Sequence, residues 1–410
     1  MTCLIDIRIV AMRVGSLLSA SSLLVVAIAC SSDSLGPVAP GTFASVSGGF
    51  RYTCGLLSEG GGYCWGDNAV GQGGNGVMST IDSAPKPVVG LVLFTQIDAG
   101  QGHTCGLVPG GAAFCWGVSQ DGALGSDTTT LSAVPIPVAG GLKFKEIAAG
   151  FNSTCALTIA GAAYCWGAND LGQLGRDGAS TQTPVAVATN LVFTKIAVGQ
   201  YYACAIAVGG AAYCWGYNQW GNLGTLDTTA HAGPRLVAGG LHFKAIDAAS
   251  YQTCAITTSA AAYCWGAGQY GLLGNGSTDD HPTPARVSGN HPFAAISLGI
   301  NHSCGLDVDG LLFCWGSNGA AQLAGSTTET CRFGPLPTDT WPCTSTPVVA
   351  ASGRYYRALS AGAFHTCAVE FAGGAFCWGA NDRGQVGNGS TGSPVVAVTR
   401  VPDPEFPAGR

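Results

Sequence analysis

Between residues 144 and 188 the apolar positions fall into four short runs, each closed by Gly, Asn, Asp or Pro. The runs are Phe144 to Gly150, Thr154 to Leu157, Ala163 to Gly167 and Pro184 to Val187. Each is rich in residues that favour a pleated, half-buried surface, and each is bounded by turn formers, so the pattern predicts four short strands. No window keeps the i, i+3, i+4, i+7 spacing over ten residues, which predicts almost no helix. The same four-run pattern then recurs along nearly the whole chain.

Cysteines mark the period. Cys54 and Cys64, Cys105 and Cys115, Cys155 and Cys165, Cys204 and Cys214, Cys254 and Cys264, Cys304 and Cys314, and Cys367 and Cys377 all stand ten residues apart. The second of each pair is followed by Trp-Gly, and successive first cysteines lie 51, 50, 49, 50, 50 and 63 residues apart. A period near 50 means a repeat architecture. A four-stranded unit cannot bury both faces alone, but seven arranged radially pack blade on blade and leave only short, protected edges. The predicted fold is all-β, a seven-bladed β-propeller with four antiparallel strands per blade.

Composition narrows the function. Only 10% of the 410 residues are charged and the net charge is −6, so the chain has no electrostatic footprint for nucleic acid. Eighteen cysteines without C-x₂-C pairs point to an oxidising compartment and a disulfide framework. The N-terminus agrees, because Arg13 precedes an apolar stretch from Leu17 to Ala29, too short and wrongly flanked for a membrane span. The sequence Ala27-Ile28-Ala29-Cys30-Ser31-Ser32 resembles a bacterial lipoprotein signal, with Ala27 where that signal prefers Leu. The resemblance implies lipidation of Cys30 and a location in the cell envelope, anchored at the outer membrane or secreted. Asp6 fits a signal poorly, so translation starts at either Met1 or Met12. The expected organisation is an export signal over 1–29, an anchor and tether over 30–42, the propeller over 43–401 and a tail over 402–410.

The unit seen as Gly362-Ala-Phe-His365-Thr-Cys367-Ala and Cys165-Trp166-Gly167-Ala-Asn169-Asp-Leu-Gly172-Gln-Leu-Gly175 resembles the regulator of chromosome condensation repeat. The resemblance spans roughly 43–401 and recurs seven times. Members of that family include a nucleotide exchange factor, a plant photoreceptor and a secreted β-lactamase inhibitor, so it implies the fold and says little about the role.

The strands carrying the paired cysteines are joined by Gly-rich tips such as Val308-Asp309-Gly310, the mark of a hairpin. Cysteines equidistant from the tip face each other across the ladder, which predicts seven bridges within blades. An eighth, Cys331 with Cys343, is expected in the sixth unit; Cys3 and Cys30 are left over. The seven tryptophans are expected to fill the wedges between blades. His103, His302 and His365 share one repeat position with Tyr52, Ser153, Tyr202 and Gln252, so they are read as structural, bonding a loop carbonyl. No metal or other cofactor is expected. The pair Asp307 and Asp309 lacks the rest of a calcium loop, and Gly71-Gln-Gly73-Gly-Asn-Gly76 is the repeat's turn, not a dinucleotide fingerprint.

In an antiparallel four-stranded blade the 1–2 and 3–4 connections leave from one face, and the 2–3 hairpins and 4–1 links from the other. The 2–3 tips read as small and bland. The other connections carry large side chains: Phe50, Arg51, Phe151, Tyr201, Trp220, Tyr251, Tyr270, Phe364 and Arg383. The sixth unit adds about 13 residues in its 3–4 connection, with Arg332, Phe333 and Trp341 among three prolines and the extra cysteine pair. Trp, Tyr, Phe and Arg are the residue types that anchor interfaces. In the resembling photoreceptor and inhibitor this same face meets the protein partner. The expectation is therefore a monomeric, non-catalytic module that binds an unidentified protein through one aromatic face, held at a membrane by its N-terminal lipid. The alternative is a glycan binder, or an enzyme of lyase or hydrolase type, using that face. No catalytic motif was found to support an enzyme.

Overall fold

The computed structural model describes residues 41–404 apart from 91, 128, 328 and 333–339. The expected signal, Cys30 and most of the expected tether lie outside the described residues, as does Phe333. Seven antiparallel sheets are present among the described residues, and six take their strands in chain order; in the sixth blade an extra strand, Glu329–Arg332, lies outside the one that follows it. The blades span 43–87, 96–137, 144–186, 193–236, 243–286, 293–349 and 356–400. Strand 1 of every blade lines a central channel of about 250 Å³. The described helical content is two single 3₁₀ turns, Gln120–Gly122 and Gln269–Gly271.

Cysteine pairing sits in register in every blade. Cys54 lies opposite Cys64, Cys105 opposite Cys115, Cys155 opposite Cys165 and Cys204 opposite Cys214. Cys254 lies opposite Cys264, Cys304 opposite Cys314 and Cys367 opposite Cys377. All seven of these pairs are bridged, as the spacing predicts, and Cys331 is bridged to Cys343 as the eighth. Trp-Gly has its own reason. The glycine after each tryptophan has φ between 100° and 108°, where strand 4 shifts register against strand 3. A Cβ at Gly266 would stand 2.3 Å from the Tyr251 carbonyl oxygen, so both conformation and space demand glycine there.

The core is seven buried clusters, one at each seam between neighbouring blades. Each of the seven Cys-Trp-Gly tryptophans is fully buried and donates its indole N–H to a carbonyl in the 3–4 loop of the preceding blade, at 2.8–3.1 Å. In six blades a Thr or Ser just before the first cysteine donates to that same carbonyl. Blade 4 has Ala203 at this place.

Ring closure uses the same contacts and no shared strand. Trp65 of blade 1 donates to Gln385 O of blade 7, and Gly48 N–H donates to Ser360 Oγ at 2.8 Å. Every strand, bridge and core cluster among the described residues lies between Phe43 and Val401.

One departure from the four-strand plan occurs in blade 6. Its extra segment folds as a hairpin, Glu329–Arg332 against Thr340–Val349, and adds a fifth strand to the sheet. The longer strand continues past the end of strand 3, where Asn318 N–H bonds Pro342 O at 2.7 Å.

Candidate functional site: the aromatic loop face

The 1–2 and 3–4 connections emerge together, as strand alternation requires, and their aromatic side chains meet across blades. Ring centroids connect Phe151 to Tyr201 at 5.8 Å, Tyr201 to Tyr217 at 6.4 Å, Tyr217 to Tyr251 at 5.5 Å and Tyr251 to Trp220 at 6.2 Å. This file crosses blades 3, 4 and 5, and every member is half-buried. A second pair, Phe50 and Phe364 at 6.2 Å, joins blades 1 and 7, with the Arg51 guanidinium over the Phe50 ring at 5.5 Å. Burial raises the hydroxyl pKa of Tyr217 and Tyr251, so both stay neutral hydrogen-bonding groups.

The sequence reading passed over Tyr217. It follows Trp-Gly in blade 4, where the other blades carry Asp67, Val118, Ala168, Ala267, Ser317 and Ala380. Aligning that single position would have exposed it. Tyr217 is the link between Tyr201 and Tyr251, and its hydroxyl donates to Gln219 Oε1 at 2.6 Å.

The remaining predicted residues occupy the same face but stand apart from the file. Tyr270 sits half-buried in the blade 5 3₁₀ turn with φ 61°, beside the long strand of blade 6, which packs on Gly271. Arg383 is half-buried beside Asp382 at 3.8 Å. Trp341 is 40% exposed on the blade 6 hairpin, its ring lying against Gly319. Arg332 belongs to the hairpin's first strand.

Blade 2 has Gln101-Gly102 where its neighbours have Phe50-Arg51 and Phe151-Asn152. The missing bulk leaves a pocket of about 240 Å³ walled by Phe50 and Phe151.

The histidines are structural, although their partner differs from the expected loop carbonyl. His103 Nε2 bonds Thr154 Oγ1 at 2.9 Å, His302 bonds Thr366 at 2.8 Å and His365 bonds Thr53 at 2.7 Å, each in the next blade. A carbonyl is out of reach because strand 2 faces the next blade's threonine, itself already turned to the seam carbonyl. Burial holds His103 and His365 down to about 4 and His302 to about 3, so all three are neutral at neutral pH. Where Ser153 is too short to span the seam, blade 4 presents Ala203 and asks for no bond.

The channel wall carries carboxylates, and each is engaged. Asp98 accepts from Ser47 Oγ and Ala149 N, and Asp247 from Ala248 N and Leu298 N. Glu146 accepts from Ile196 N and Lys195 Nζ. They stitch neighbouring inner strands. Burial raises the Asp247 pKa to about 7. Among the described residues no group of three or more His, Cys, Asp or Glu could hold a metal ion. The Asp307 carboxylate caps its own turn by accepting from Asp309 N and Leu311 N.

Several known structures share this architecture. Prp20 of Saccharomyces cerevisiae, in a structure describing its binding to Gsp1p and histones, aligns with TM-score 0.74 and 23% identity over 88% of each chain. Human WBSCR16 aligns with TM-score 0.72 and 18% identity, covering 84% of this chain and 95% of its own. The ectodomain of the Arabidopsis thaliana receptor kinase ACR4 aligns with TM-score 0.51 and 19% identity, covering 87% and 99%. At these identities the likeness establishes the fold alone. Comparison with curated protein sequences gave no match. The RCC1-like domain matches residues 63–408, most of the seven repeats, and the chain belongs to that family.

Proposed function

We propose that this propeller is an exported, lipid-anchored, non-catalytic module that binds another protein through its loop face. The observation that carries the reading is the unbroken aromatic file from Phe151 through Tyr201, Tyr217 and Tyr251 to Trp220. Half-buried Tyr and Trp offer large rigid contact area at small entropic cost, which is what interface centres use. Seam packing explains the seven Cys-Trp-Gly tryptophans and does not explain Trp220, whose counterparts are Val70 and Ala320 in blades 1 and 6. The blade 6 hairpin extends the same face, with Trp341 at its rim. Export and acylation at Cys30 rest on the N-terminal signal and on the bridged cysteines, which suit an oxidising compartment. The other reading, a glycan binder or glycosidase-like enzyme, would draw on Asp98, Glu146 and Asp247. Their oxygens are all committed to the inner strands or to Lys195, which favours the binding module.

The test is capture from an envelope extract by wild type and by a double variant, Trp220→Ala with Tyr251→Ala. The reading expects a specific partner lost from the variant while the unfolding midpoint stays put. Equal capture by both proteins would overturn it. Cys30→Ala should move the protein from the membrane to the soluble fraction.

A further inference from the structure

The face opposite the loops was expected to be bland, and it is not. Reading its hairpin tips from their glycines and alanines misses the residue that opens each tip. That residue is Ile159 in blade 3, Val208 in blade 4, Val308 in blade 6 and Phe371 in blade 7, exposed by 63%, 67%, 58% and 40%. A hairpin turn does not require an apolar residue there, since blades 1 and 5 use Ser58 and Thr258. Val192, on the link between blades 3 and 4, adds a fifth exposed apolar group beside Ile159 and Val208.

Charge around blades 3 to 5 is one-sided, whereas the tips of blades 1, 6 and 7 carry Glu59, Asp307, Asp309 and Glu370. Lys143, Lys145, Lys195, Arg235, Lys244 and Arg286 are all exposed around the tips of blades 3 to 5. Across those tips and links the one acid is Glu146, set back in the channel wall and paired with Lys195 at 3.4 Å. Among the described residues Lys143, Arg235, Lys244 and Arg286 form no ion pair. The loop face is mixed, with Asp67, Asp121, Asp170, Asp177, Asp227 and Asp279 alongside Arg51, Arg176 and Arg383 in its connections.

The described chain begins on this face, at the tips of blades 1 and 7. Gly41 N–H bonds Glu59 Oε2 on the first hairpin tip, and Phe43 N–H bonds Gly373 O on the last.

Exposed apolar tips among unpaired lysines and arginines suit a lipid–water interface, where the tips enter the acyl boundary and the cations meet anionic headgroups. We propose that the hairpin-tip face of blades 3 to 5 docks on a bilayer containing anionic lipid. This goes beyond the protein-binding reading and needs no acyl chain. It orients the aromatic loop face away from the membrane.

The test is vesicle co-sedimentation of the chain beginning at Ser31, which keeps the complete propeller and removes the leader and Cys30. Vesicles are phosphatidylcholine alone or phosphatidylcholine mixed with phosphatidylglycerol. Binding is expected to the mixed vesicles and to weaken as salt is raised. Lys143→Ala, Lys244→Ala and Arg286→Ala should each weaken it about fivefold. Ile159→Ser with Val208→Ser should weaken it further at high salt, where the apolar contribution remains. Unfolding midpoints report that these variants are folded, and Trp220→Ala with Tyr251→Ala should bind vesicles like wild type, which separates this proposal from the partner reading. Failure to bind mixed vesicles, equal binding to both compositions, or binding indifferent to all tip-face substitutions would overturn it. So would binding of an acidic protein at this face with vesicles left unbound.

Discussion

The seams between blades and the loops above them are built from the same seven repeats, yet they behave oppositely. At the seams one tryptophan, one glycine and one cysteine pair recur in every blade, and each tryptophan is held by the same bond to the preceding blade. On the loops, the position of Phe50 is Gln101, Phe151, Gln200, Ser250, Ile300 and Ala363 in the other blades. Seven copies in one chain form an internal comparison. What the geometry of a blade requires is present seven times, and what it leaves open is where aromatic groups gather in blades 3 to 5. The difference separates residues that hold the ring from residues available to a partner.

The largest effect that could break this contrast is at a seam. Trp265→Ala removes a fully buried indole and its bond to Asn222 O, and should cost about 3–5 kcal/mol by thermal or denaturant unfolding. Trp220→Ala should cost far less. If the two cost the same, the division between seam and face fails.

Acid should attack the seams next. Each buried histidine has its pKa lowered in the folded state, so its contribution is present above about 6.5 and is lost as pH falls towards its folded value. The slope is about 1.4 kcal/mol per pH unit for each histidine. Asp98, Glu146 and Asp247 oppose this, because a carboxyl whose folded pKa is raised by burial adds stability as pH falls. Each histidine makes stability decline below pH 6.5 against that rise, so its share is read from a variant rather than from the net slope. His103→Gln should make that decline shallower in urea melts at stepped pH, and an unchanged slope would remove the histidines from the account.

Removing one bridge should matter less than removing a tryptophan. Cys204→Ser with Cys214→Ser opens a loop of about eleven residues and should lose about 2.5–3 kcal/mol on the chain-entropy account. Smallest should be the hairpin. Deleting 330–342 together with Cys343→Ser should leave the midpoint within a few degrees, since strand 3 keeps its ladder to Thr344 and Val348. Partner capture should then fall. Unfolding of blade 6 would make the hairpin structural.

Much of this was legible in the sequence, for a physical reason. A repeat places every seam residue seven times, so Cys54 to Cys377, the Trp-Gly turns and the blade count could be read without a structure. Ring closure could not, because nothing in the composition of Phe43–Gly48 or Gly392–Arg400 says whether end strands share a blade. The loop face was legible as a set of residues but not as a surface. Tyr217 lies in a strand-to-loop step that reads as part of the Trp-Gly motif, and contact between Tyr201 and Tyr251 passes through it. The opposite face was misread because its tips were read from residues such as Ala160-Gly161-Ala162, and the apolar residues that open them, Ile159, Val208 and Phe371, were not. Only coordinates show that they clear the core.

The most direct measurement is oxidative footprinting of the propeller alone and in complex with the partner captured from the envelope. The account predicts that Tyr201, Tyr217, Trp220 and Tyr251 are labelled in the free protein and protected in the complex, while the buried Trp265 stays silent in both. Unchanged labelling of Trp220 and Tyr251, with protection instead at Phe371 and the hairpin tips, would contradict it.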